Sequence, residues 1–157
     1  MIKIKYNVKM PKVRYTPKNS AGYDFKFSDT WMSDGKIAIK RYLKDKLTLL
    51  RHVPNDWDKF TLRPEFINTS MIRIINESLS SGGSYLRSVN RFYTDKITYT
   101  KIVQLWSQGG ISRCIDIKYA GILKLGDRVF IPNDENKAIL VYKDDVCIGA
   151  VMPIIRL

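Results

Sequence analysis

Histidine and cysteine are nearly missing from this 157-residue chain, which has one of the first, His52, and two of the second, Cys114 and Cys147. A single histidine excludes His-rich metal sites and leaves a Ser-His-Asp triad without support. The two cysteines lie too far apart for a zinc knuckle or a CxxC redox motif. Both stand in apolar alternation, the pattern of buried free thiols in a reducing cytoplasm, and that is the compartment expected. No apolar run approaches the roughly 20 residues that span a bilayer, so no membrane partner is expected. The opening Met1-Ile2-Lys3-Ile4-Lys5 alternates and lacks the continuous apolar core of a secretory signal. P-loop, GxGxxG and GxSxG patterns are missing too, and neither a cofactor nor a metal is expected.

Acidic residues are also scarce, 15 against 27 Lys and Arg, for a net charge of +12. The imbalance is local. Met1 to Arg51 holds 13 Lys and Arg against 4 acidic residues, which is +9 of the +12. One-sided charge of this kind suits a polyanion, because each phosphate neutralised releases condensed counterions. Ten of the 13 are lysines. Lysine is a point charge, whereas arginine reads guanine bidentately, so backbone contact is favoured over sequence readout. Lys3, Lys5, Lys9, Lys12, Arg14 and Lys18 are the expected phosphate contacts. An acidic protein is the other partner this charge would fit.

An apolar fraction of 45% with 11% aromatics excludes general disorder. The length suits one domain over residues 1–157, divisible into sub-modules 1–80 and 85–157. Short, punctuated segments favour β structure. Ile2, Ile4, Tyr6 and Val8 alternate with polar residues as a half-buried strand would. Tyr23 to Phe27 alternates again, and Asp34-Gly35 marks a hairpin turn with a return strand from Lys36 to Tyr42. Leu47 to Val53 fits either strand or helix.

The clearest helix runs from about Pro64 to Leu79. Proline opens it, Glu65 complements its N-terminal dipole, and Gly82-Gly83 follow its end. Ile67, Met71, Ile74, Ile75 and Leu79 share one face and should pack on a core. Ser78 to Ser84 reads as a hinge or long loop. Strands are expected over Lys96 to Trp106, Arg113 to Tyr119, Arg128 to Ile131, Ala138 to Tyr142 and Cys147 to Ile155, with turns at Pro132 to Asn136 and at Asp144-Asp145. The fold class is α+β, an antiparallel sheet with one or two amphipathic helices.

Two constellations bear on chemistry. Asp127 with Glu135-Asn136-Lys137 has the acidic residue and ExK pair of metal-dependent nucleases, where two carboxylates and a lysine hold Mg²⁺ and activate water. Its position in a turn fits an ordinary hairpin equally, and no catalysis is expected. Between Tyr85 and Trp106, basic and aromatic residues interleave. Tyr85, Arg87, Arg91, Phe92, Tyr93, Lys96, Tyr99, Lys101 and Trp106 offer stacking surfaces and phosphate partners, Arg87 and Arg91 foremost among the latter, or else core and solvated faces.

Two stretches resemble known families. Met10-Pro11 followed by Asn19-Ser20-Ala21-Gly22-Tyr23-Asp24 is similar to the opening of trimeric dUTPases, whose glycine-rich C-terminal arm has no counterpart here. Val151-Met152-Pro153-Ile154-Ile155-Arg156-Leu157 resembles the terminal strand of bacterial β sliding clamps, with one extra residue before Arg156-Leu157. Ile115-Asp116-Ile117-Lys118-Tyr119 resembles the segment that opens the last half of a clamp domain. The clamp resemblance implies clamp-like half-domains and a non-enzymatic DNA-associated role, of a type that phages and mobile elements encode. It further implies that Val151, Met152 and Pro153 line an apolar groove that receives a protein partner. A clamp subunit has several such domains and this chain has room for little more than one, so a ring would require a homo-oligomer. A phage-type inhibitor of an acidic host protein and a small nuclease using Asp127, Glu135 and Lys137 are the alternatives.

Overall fold

The computed structural model describes residues 26–47, 64–94 and 101–154. The strand expected over Ile2 to Val8, the lysine-rich N-terminal contacts, the segment Thr48 to Val53 and the last three residues lie outside them. The described chain is α+β, with nine strands in an antiparallel sheet of order β1-β2-β3-β9-β8-β7-β4-β5-β6. In sequence these are β1 (Lys26–Phe27), β2 (Trp31–Ser33), β3 (Ile37–Lys40), β4 (Gly83–Thr94), β5 (Lys101–Ser107), β6 (Ser112–Asp116), β7 (Arg128–Pro132), β8 (Ile139–Lys143) and β9 (Val146–Val151). Helix α1 spans Pro64–Ser80, close to its predicted bounds.

Asp34-Gly35 forms the expected turn between β2 and β3. Gly35 takes φ +90, which L side chains rarely adopt, and the Asp34 carboxylate accepts from the backbone N–H of Lys36 and Ile37 at 2.8 and 2.9 Å. The other Asp34 oxygen accepts from the Tyr119 hydroxyl at 2.9 Å, tying the hairpin to a distant segment.

Several expectations are corrected: the strand expected from Cys147 to Ile155 ends at Val151, and Leu79 is exposed on α1 and not packed on the core. The return strand stops at Lys40, and Arg41–Lys46 is a 3-10 helix. The strand expected through Tyr119 stops at Asp116, whose side chain accepts from the Lys118 N–H and opens a 3-10 helix over Ile117–Lys124. Leu43 of the first helix and Leu47 just past its end, with Ile117, Tyr119, Ala120, Ile122 and Leu123 of the second, are buried in one cluster. Both helices therefore bury residues that a strand would have split between two faces. The supposed hinge at Ser78 to Ser84 is a tight turn. The Gly82 N–H donates to the Leu79 carbonyl at 3.1 Å, and β4 begins one residue later.

Strand β4 bends the sheet. Its first three residues pair with β7 and the remainder with β5, with register shifts at Leu86/Ser88 and Val89/Arg91. The sheet then curls until β6 meets the chain leaving β9, where the Ile154 N–H donates to the Cys114 carbonyl at 2.7 Å. Inside this closure the apolar 3-10 helix acts as a plug. Gly149 faces it from β9, and a Cβ there would overlap Ile122 Cδ1. On the outer face, Met71, Ile67, Ile74 and Ile75 of α1 cover Trp31, Ala38, Ala138, Leu140 and Ala150. Asn68 fastens that helix to the sheet edge, accepting from Ser28 Oγ at 2.5 Å and donating to Asp29 Oδ1 at 2.9 Å.

Candidate nucleic-acid interface

Lys3, Lys5, Lys9, Lys12, Arg14 and Lys18 lie outside the described residues, as does the side chain of Arg91, whose backbone sits on β4 opposite Gln104. Arg87 is exposed and occupies the bulge between Leu86 and Ser88, a position that re-aims a side chain out of the regular alternation. Of the aromatics in that stretch, Tyr85 packs edge-on against Phe130 at 5.9 Å between centroids, and Trp106 is half-buried.

A second basic feature lies within the described part of the charged first third. The 3-10 helix Arg41–Lys46 follows directly on Lys40, so that Lys40, Arg41, Lys44 and Lys46 stand together with one acidic residue, Asp45. Buried Leu43 and Leu47 anchor this segment to the core, while Tyr42 beside the cations is 73% exposed. The Arg41 guanidinium donates to the Ser28 carbonyl at 2.9 Å, which fixes the start of the helix.

Lys40 also belongs to a row of cations and aromatics on the outer face of the sheet. Its ammonium lies 4.6 Å from the centre of the Trp31 ring. Across β9 and β8, Tyr142 stands opposite Cys147 and next to Arg128 of β7. The Arg128 guanidinium sits over Tyr85 at 5.1 Å and over Tyr142 at 5.7 Å, and it is held by the Tyr85 hydroxyl and by Asp145. Six strands at ~4.8 Å spacing make this row roughly 24 Å wide. Burial raises the Tyr142 hydroxyl above its ordinary value and pushes the Cys147 thiol up to about 11. The Cys147 thiol is thereby kept protonated at neutral pH.

The nuclease constellation is not assembled. Asp127 precedes β7 and accepts from the Asp144 N–H, whereas Glu135 is exposed beyond the far end of the same strand. Five strand residues at ~3.3 Å each hold the two carboxylates roughly 15 Å apart or more. Lys137 pairs with Glu77 of α1 at 3.4 Å instead. Among the described residues no three His, Cys, Asp or Glu side chains converge on a metal position. Replacing Glu135 with alanine should change stability by no more than about 0.5 kcal/mol and leave any nucleic-acid binding intact. Thermal melting and a binding titration check both, and loss of a Mg²⁺-dependent cleavage activity in a folded variant would revive the nuclease reading.

The three tail residues separate. Val151 is fully buried, Pro153 is buried, and Met152 is 38% exposed. Met152 borders a shallow groove of about 320 Å³, counted out to open solvent, between α1 and the sheet, with Ile37, Ala38, Met71, Ile74 and Ala150 along it. No helix among the described residues is long and apolar enough to cross a membrane. Comparison with protein-family models, with curated proteins and with solved structures finds no match.

Proposed function

We propose that this is a non-enzymatic nucleic-acid-associated protein that grips phosphates and does not read bases. The observation that carries the reading is the cationic 3-10 helix: Lys40, Arg41, Lys44 and Lys46 crowd onto one short segment fixed to the core, against a single carboxylate. A phosphate chain docking on this segment would be drawn by its concentrated positive charge and would release its own counterions. The Lys3 to Lys18 cations would extend the same contact, Arg87 and Arg91 would add to it from β4, and lysine's predominance favours backbone contact.

A sliding-clamp-like role for the C-terminal half belongs to the same proposal. It is supported by the resemblance carried by Val151 to Leu157 and by Ile115 to Tyr119, and by the groove beside Met152. One copy encloses nothing, so processive association would require several copies.

Affinity for nucleic acid should fall steeply with salt. The double variant Lys44→Ala, Lys46→Ala should flatten the log-log slope by about 0.9 on duplex DNA, or about 0.7 on a single strand, for each phosphate contact removed. A titration series across salt concentrations measures this, and binding that ignores salt, or no binding to any nucleic acid, would overturn the reading.

A further inference from the structure

Tyr42 spends its aromatic ring on solvent. It is 73% exposed, although its neighbours Leu43 and Leu47 are buried and the backbone that carries it is held at both ends. An exposed ring on a fixed segment has already given up much of the conformational freedom that a stacking contact would cost. With 3.0 residues per turn, Arg41 and Lys44 share one edge of this helix and Tyr42 and Asp45 the next. The ring thus stands beside a pair of cations, with Lys40 and Lys46 at the two ends of the segment. Asp45 lies one turn along the ring's own edge and would repel a phosphate there.

We infer that Tyr42 is a stacking platform for an unpaired base, with the adjoining phosphates held on the Arg41/Lys44 edge, so that the preferred ligand is single-stranded nucleic acid. The inference rests on the proposed phosphate contact and deepens it. Stacking on an exposed tyrosine is open to a base in a single strand, whereas a duplex keeps its base faces covered. Sequence preference should be slight, since every base has a π-face.

The test uses the full chain with a short labelled oligodeoxythymidylate and a hairpin duplex of equal charge, read by fluorescence anisotropy. The single strand should bind more tightly. Tyr42→Ala should weaken single-strand binding about tenfold, the order of one base–aromatic stack, and leave duplex binding nearly unchanged. Tyr42→Phe should restore the single-strand affinity, and Asp45→Asn should raise it by removing a repelling charge. Both positions are exposed, so the melting temperatures of all three variants should match the parent. Equal, salt-dependent affinity for both probes with no effect of Tyr42→Ala would overturn this inference while leaving phosphate contact standing. No salt-dependent binding to either probe would overturn both.

Discussion

Removal of Pro153 to Leu157 is expected to lower the melting temperature by roughly 10 °C, at the usual 2–4 °C per kcal/mol for a chain of this size. The tail is part of the architecture that closes the sheet. Ile154 supplies the described bridge to β6, and without it the Cys114 carbonyl loses that partner. Losing that hydrogen bond costs about 0.5–1.5 kcal/mol, and uncovering the surface under Pro153 adds a further ~1–2 kcal/mol. Calorimetry on the truncated chain measures the sum. The clamp resemblance makes the tail a docking element, in which case truncation would abolish partner capture at an unchanged melting temperature. A melting temperature within about 2 °C of the parent would mean that the bridge contributes little.

Ile122→Ala should cost about 4 kcal/mol, near the upper part of the range for Ile→Ala, because Ile122 is fully buried inside the closed sheet and the surrounding strands cannot collapse onto the space. Gly149→Ala should cost about 2–3 kcal/mol for the opposite reason, since its Cβ would overlap Ile122 Cδ1 and stand 3.1 Å from the Ala38 carbonyl oxygen. Combining the two should cost less than their sum by at least ~1 kcal/mol, because the shortened side chain at 122 makes room for the added methyl. Chemical denaturation of the three variants forms the cycle. Strict additivity would show that the plug and β9 are not in the contact described.

Much of the fold is legible in the chain. The Asp34-Gly35 turn, the bounds of α1 and the β7, β8 and β9 segments follow from turn chemistry, capping signals and apolar period, all of which act over a few residues. Ile117 to Tyr119 reads as strand because its apolar residues alternate through Lys118. Its fate turned on Asp116 capping the first turn and on an interior that needed filling. The site is less legible. Charge density marks the first third as basic, but no pattern separates Tyr42 from the other aromatics, since exposure depends on what the rest of the chain covers.

Local patterning by itself determined which residues form most of the strands, where α1 begins and ends, and that the protein carries a strongly one-sided positive charge. The tertiary structure alone decided three further things. It placed Asp127 and Glu135 at opposite ends of β7, buried Val151 and Pro153 while leaving Met152 at the surface, and aligned Lys40, Tyr142 and Arg128 in one row. Alternation says that a strand has a buried face but not which strand lies beside it. Neighbours across a sheet are chosen by register, and register is set by the packing of the whole core.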